Sequence, residues 1–562
     1  MAQSSTQLLD GRDLSPWQTI ARRKRFDREV NLNQYPQWRL RSKVPADRRD
    51  VSKVLDDELS SEESEIVRFD ATEIVTLVKE RRFTSLQVIQ AHCHAAVVAQ
   101  DLTNCLSEVF FDEAVQRAKE LDDHLQRTGE TYGPLHGVPV SVKDHIMVKG
   151  KDTSTGYAAW CYKTVAEKDA VAVDILRKAG AILYVKTNNP QTLLSLETNN
   201  NIFGRTSNPY DRDRTAGGSS GGESALIAFH GSPLGLGTDI GGSIRLPAGC
   251  TGLYGFKASV ARIPHKGLLG SHDGMDAIIG VLGPITRSAR DLSLFCRVML
   301  LYEPWLVEPP LLEIPWKQDV VDGAGLPSRL CFAILWDDGV FPPEPAINEA
   351  LAECKSVLTG KGHVVIDWEP IGHKEAWDLL TKLYFLDGGE EYWDVLNESG
   401  EPPVPQTEWI LNQAPNGGKP FTVAEIFRLN LQREAFRQKL LEHWNNTASR
   451  TGLNRAVDAI ITPVAPTLAP KHGKTEWWGY TSYWNLADYP AAVFPVGYAG
   501  QFLDKVEKDG ESGQQSTTRD DLYDNLPVCL QLVGRRLNEE RLLGILNVVD
   551  GELSQDAQTR RL

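Results

Sequence analysis

Two glycine-rich turns that carry serines lie close together in this chain. The first is Gly217-Gly218-Ser219-Ser220-Gly221-Gly222-Glu223, and the second is Gly237-Thr238-Asp239-Ile240-Gly241-Gly242-Ser243-Ile244-Arg245-Leu246-Pro247. Serine hydroxyls in such turns admit three kinds of chemistry. A phosphate cradle requires GxxxxGK[ST], and no lysine follows either turn; the dinucleotide pattern GxGxxG breaks because Gly235-x-Gly237 is followed by Ile240 where a third glycine belongs. An α/β-hydrolase elbow is formally matched by Gly217 to Gly221, but an elbow needs a hydrophobic strand directly before it, and residues 208–216 are turn-like and charged. The third chemistry is acyl transfer by a serine nucleophile with a lysine base. Leu234 to Thr238 reads as the supporting strand, Ile240-Gly241-Gly242 can turn sharply and aim several N–H groups at one point, and Ser243 follows directly. A hydroxyl beside such an oxyanion hole attacks a carbonyl while main-chain donors hold the developing charge, so no metal is needed. The candidate base is Lys143, which ends the strand in Pro134-Leu-His-Gly-Val-Pro-Val-Ser-Val-Lys143. There a desolvated amine can lose its proton near neutral pH.

The elements that must hold these residues follow from periodicity and caps. Asp70 caps a helix from Ala71, Thr84 caps an amphipathic run to Gln100, and Asp112 begins a helix ending near Gly129. Val138, Val140 and Val142 then alternate as a strand, Asp169 to Lys178 read as a helix stopped by Gly180, and Ala181 to Val185 as a buried strand. The same alternation returns in Ser220–His230 with Leu234–Thr238, in Asn348–Leu358 with Val364–Trp368, and in Val457–Thr462. This predicts an α/β sandwich. Residues 1–66 read as a polar arm, wrapped on the body or partly mobile, 67–555 as one catalytic domain, and Leu503–Asn525 as a surface insertion.

Composition narrows the partners. The chain has 562 residues, with 60 Lys+Arg against 75 Asp+Glu and a net charge of −15, so it offers no broad basic surface for nucleic acid or anionic membrane. Eight scattered cysteines without CxxC spacing fit buried free thiols in a reducing compartment. No signal-peptide core precedes Arg22-Arg23-Lys24-Arg25, and the longest charge-free run is amphipathic, so a cytoplasmic protein without a membrane span is expected.

The segment from Gly217 through Ala248, with Ser243 standing 24 positions after Ser219, resembles the signature of the amidase signature family. Asn104, Gly133-Pro-Leu-His-Gly137, Asn199 to Gly204 and Gln531-Leu-Val-Gly-Arg535 place the resemblance nearest its fungal acetamidase and general amidase branch. It covers roughly residues 70 to 550. The resemblance implies the family's fold, a mixed central sheet between helices (α/β/α), and hydrolysis of small aliphatic or aryl amides. It also implies a Ser-Ser-Lys triad: Ser243 as nucleophile, Ser219 joined by a cis peptide and relaying the proton, and Lys143 as base. The family's oxyanion donors fall on the main chain of Ile240, Gly241, Gly242 and Ser243, and a carbonyl holding the leaving amide falls near Leu193. No cofactor or metal is implied, and homodimers occur among relatives. The membrane-anchored fatty acid amide hydrolases are siblings whose N-terminal span this chain lacks. An esterase or acyl transferase on the same fold stays open, since an acyl-enzyme forms from esters and passes to amines or alcohols as well. The tRNA-dependent amidotransferase subunit shares the signature but fits an acidic chain less well.

The remaining motifs read as structural. Asp239 and Arg245 are expected to pair and brace the loop. His92 and His94 point to different faces of one helix, and His136 and His145 are assigned to packing despite their nearness to Lys143. Two aromatic concentrations, Trp377–Trp393 and Trp477–Trp484, are expected as core or as walls of an acyl pocket.

Overall fold

In the computed structural model, which describes residues 14–508 and 521–560, eleven strands form one mixed sheet. They are β1 (Leu106–Val109), β2 (Pro139–Lys143), β3 (Ile182–Thr187), β4 (Leu234–Asp239), β5 (Tyr254–Lys257), β6 (Val281–Thr286), β7 (Cys331–Ile334), β8 (Val364–Asp367), β9 (Ala459–Pro463), β10 (Ala491–Tyr498) and β11 (Pro527–Val533). Their order across the sheet is β1-β3-β2-β4-β6-β5-β10-β11-β9-β7-β8. β2 pairs in parallel with both β3 and β4, and β7 with both β8 and β9. The other contacts are antiparallel.

Side chains alternate across the strands and build a core on each face. Phe332, Ile334, Ile461, Phe494 and Leu530 join one core, while Cys331, Ala333, Ile460, Val493 and Cys529 join the other. Helices therefore cover both faces, as the α/β/α expectation holds. Every residue of β2, β3 and β4 is buried. These strands run Val/Ile/Leu-rich because helices close them from both sides.

The helix signals also hold. Asp70 and Thr84 each accept from the third helical N–H in capping boxes, opening Ala71–Lys79 and Ser85–Thr103. Gly129 ends Phe111–Thr128 in the left-handed conformation that favours glycine. The region expected as a polar arm is not loose over its described part. Helix Pro16–Leu32 buries Lys24, which bridges Glu108 and Asp152, and Arg28, which donates to the Leu106 carbonyl at 2.6 Å. Val51, Val54, Leu55 and Leu59 enter the same core as the sheet. Of the expected surface insertion, residues 509–520 lie outside the described residues. All eight cysteines are buried free thiols. No helix among the described residues is long and apolar enough to cross a membrane.

Candidate active site

Lys143 stands at the end of β2, where the parallel pairing with β4 brings the two strand ends together. Its Nζ lies 2.6 Å from Ser219 Oγ and 2.9 Å from Thr238 Oγ1. The side chain is fully buried. Burial pulls its pKa down to about 7, against the opposing pull of Asp239 and Glu223. An uncharged amine is therefore accessible at neutral pH, as a proton acceptor requires.

The Gly218–Ser219 peptide is cis, as the resemblance implied. The turn around it admits only glycines, because a Cβ on Gly218 would stand 2.5 Å from the Glu197 nitrogen and one on Gly217 2.5 Å from Pro247 Cα. Ser220 N donates to the Ser243 carbonyl at 3.2 Å, so the two serine turns are tied directly. Ser219 and Ser243 are both buried.

The loop between β4 and Ser243 is braced from both sides. Asp239 accepts from the backbone N–H groups of Gly242 at 2.9 Å and Ile244 at 3.1 Å, and pairs with Arg245 at 2.9 Å. Arg245 also donates to Gln531 Oε1, Asn485 Oδ1 and the Thr481 carbonyl. Burial alone would raise the Asp239 pKa, but Arg245 and the other donors outweigh it and hold the carboxylate well below its usual range. The expected structural pair is present. On the opposite side, Tyr384 OH donates to the Ile240 carbonyl and Thr481 Oγ1 to the Gly241 carbonyl, each at 2.7 Å. A Cβ on Gly242, whose φ is +133°, would stand 2.3 Å from Thr481 Oγ1.

Of the four amides expected as oxyanion donors, Gly242 N–H is thus engaged by Asp239 in this structure. Among the described residues no acceptor within the chain takes the N–H of Ile240, Gly241 or Ser243. Leu193 stands in a tight turn with φ of +64°, and its carbonyl accepts from Ser195 N at 2.9 Å.

Part of the aromatic expectation resolves into geometry. Trp377, Trp409, Trp477 and Trp478 form one cluster with centroid separations of 5.5 to 6.5 Å. Trp478 borders the Gly241 turn, at 3.3 Å from the place a Cβ would occupy. Tyr483 and Trp484 instead pack on each other and on His373, Phe436 and Tyr489, away from that turn. A cavity of about 470 Å³ lined by Arg455, Asp458, Arg535 and Arg541 contains none of the serine or lysine residues. Chemistry, not cavity size, marks the site.

Three participants escaped the sequence reading. Thr238 bridges Lys143 and His145, whose Nε2 lies 2.8 Å from Thr238 Oγ1. His145 was assigned to packing; it stands in the turn that follows β2, closed by the Ile146 N–H on the Lys143 carbonyl at 2.9 Å. Glu223 sits behind Lys143, accepting from the Ser141 hydroxyl and from Thr187 Oγ1 at 2.7 Å. Burial pushes it up to about 8 despite those donors and the nearby Lys143. His92, His94 and His136 bond elsewhere, to Val88, Glu63 and Tyr132.

Residues 87–543 match the family model described as Amidase. The chain belongs to the amidase signature family. This amidase is 37% identical over 547 residues to the acetamidase of Aspergillus oryzae, covering 95% of this chain and 98% of that protein. It is 38% identical over 500 residues to the acetamidase of Emericella nidulans, covering 87% and 90%. Among solved structures its fold is similar to a fatty acid amide hydrolase, with a TM-score of 0.86, 31% identity, and coverage of 96% and 95%. The enzyme is an amide hydrolase.

Proposed function

We propose that this amidase cleaves small aliphatic or aryl carboxamides to a carboxylate and ammonia or amine, through an acyl-enzyme on Ser243. The 2.6 Å contact between Lys143 and Ser219, in a site where burial draws the amine's pKa down to about 7, is the observation that carries this reading. Neutral Lys143 takes the Ser219 proton while Ser219 takes one from Ser243, whose Oγ bonds to the amide carbon. The open amides of Ile240, Gly241 and Ser243 hold the oxyanion. The Gly242 amide keeps the loop in shape through Asp239. When the C–N bond breaks, Ser219 delivers a proton to the leaving nitrogen and recovers one from Lys143. Water then attacks the ester by the same relay and releases the acid. The Leu193 carbonyl is proposed to orient the leaving amide.

The small-acyl reading draws on the acetamidase names of two long-aligned relatives and on the tryptophan cluster whose Trp478 borders Gly241. The likeness to a fatty acid amide hydrolase supports a second reading, in which longer acyl chains are accepted.

Labelling with a fluorophosphonate followed by peptide mapping tests the nucleophile, and an amide panel with ammonia detection tests the acyl range. The adduct is expected on Ser243 and is lost in Lys143→Ala; Ser243→Ala is expected to lose at least about 10³-fold in rate. An adduct on Ser219 would overturn the assignment. Turnover of long acyl amides with none of acetamide or benzamide would favour the second reading. Hydroxylamine outcompeting water as acceptor would move the enzyme to acyl transfer.

A further inference from the structure

We infer that His145 is a positioning residue which, acting through the Thr238 hydroxyl, sets the direction of the hydrogen bonds around Lys143 and keeps the lysine lone pair on Ser219. This rests on the reading of Lys143 as base. Four contacts form an unbroken chain: the Leu269 carbonyl to His145 Nδ1 at 3.2 Å, His145 Nε2 to Thr238 Oγ1 at 2.8 Å, Thr238 Oγ1 to Lys143 Nζ at 2.9 Å, and Lys143 Nζ to Ser219 Oγ at 2.6 Å.

The direction of each bond follows from what each atom can do. A carbonyl only accepts, so His145 Nδ1 carries the hydrogen. The ring is buried beside two lysines, Lys143 and Lys186, and no carboxylate bonds to it among the described residues. Burial, aided by both lysines, holds its pKa well below the usual histidine value, so the ring is neutral and Nε2 is an acceptor. Thr238 must then spend its single hydrogen on His145. Its oxygen is left to accept, and the donor is a Lys143 N–H. With that N–H committed, the amine is oriented and its lone pair is free for the Ser219 proton. The other charged or titratable groups facing Lys143 are Glu223 and Asp239. Neither bonds to its Nζ among the described residues.

Without an acceptor at residue 145, the Thr238 hydroxyl turns and donates to Lys143. That occupies the lone pair and stabilises the uncharged amine. The test measures kcat/KM against pH, and fluorophosphonate labelling rate against pH, for full-length wild type, His145→Leu, His145→Gln, Thr238→Val and the His145→Leu/Thr238→Val double variant. His145→Leu is expected to lose roughly ten- to a hundredfold in rate and to move the acid limb to lower pH. His145→Gln, which returns an acceptor near the Nε2 position, is expected to recover most of the rate and the limb. In the Thr238→Val background, His145→Leu is expected to add no further loss.

An unmoved limb in His145→Leu overturns the inference, as does a His145→Gln variant no better than His145→Leu, or losses that multiply in the double variant. Should His145→Leu fail to fold by near-UV circular dichroism, Thr238→Val alone must lower the limb and Thr238→Ser must restore it. Lys143→Ala separates the two levels. If it keeps turnover, the reading of the base falls; if it abolishes turnover while the His145 results fail, only the positioning role falls.

Discussion

Thr238 and Asp239 follow one another at the end of β4, and they serve networks of opposite electrical character. On the Thr238 side, Lys143 is surrounded by hydroxyls and a neutral imidazole, and burial draws its pKa down to about 7. On the Asp239 side burial is just as complete, yet the carboxylate stays ionised beside Arg245, with Asn485 and three backbone N–H groups also donating to it. Desolvation is common to both. What differs is the supply of opposite charge and donors, and this alone decides whether a buried group gives up its charge or keeps it. On the proposed mechanism, a group that exchanges protons stands next to a scaffold that keeps its charge.

The contrast breaks most visibly at Lys143. Lys143→Met is expected to lower kcat by at least about 10³-fold, read from single-turnover acylation. In wild type, kcat/KM is expected to fall as pH drops through about 7, because protonated Lys143 cannot accept from Ser219. The next largest effect lies across the strand. Asp239→Asn leaves Arg245 buried without its charge partner and is expected to cost about 3–5 kcal/mol of stability in urea unfolding, with activity lost through the loop. Lys143→Met should move stability the other way, by about 1 kcal/mol. The unfolded lysine is protonated at pH 7 and folding must release part of that charge, a penalty methionine does not carry. A smaller effect sharpens the comparison at Glu223. Its folded pKa of about 8 stands above the ordinary 4.5, so its stabilising contribution is complete below pH 4.5 and lost as pH rises through about 8. Glu223→Gln should flatten the decline in unfolding free energy between about pH 4.5 and pH 8; an unchanged slope would show that Glu223 does not cause it.

The parts of this site legible in the sequence are those whose chemistry is local. The glycine turns announce themselves because Gly217, Gly218 and Gly242 meet backbone or Thr481 at distances that exclude a side chain. Lys143 was legible through the alternation of Val138, Val140 and Val142. Strands β5, β6, β10 and β11 gave no comparable signal. They are buried on both faces over most of their length, so polarity does not alternate along them, and Gly and Pro interrupt β6 and β10. For residues 14–66 the sequence left open whether the arm packs on the body, for the converse reason. Their charged side chains look solvent-facing until Lys24 finds Glu108 and Asp152, residues about 80 and 130 positions away. Thr238 and His145 were missed because a hydroxyl and an imidazole have no role until a third element supplies the amine between them.

β11, whose residues 527–533 come near the end of the chain, lies in the interior of the sheet between β10 and β9. It also delivers Gln531 to the Arg245 guanidinium. During synthesis, therefore, Lys143, Ser219 and Ser243 leave the ribosome hundreds of residues before the strand that joins the sheet's two halves and supplies the Gln531 contact to Arg245. A chain that has not yet supplied β11 is expected to lack both the sheet's interior closure and the Gln531 contact, and therefore to be inactive.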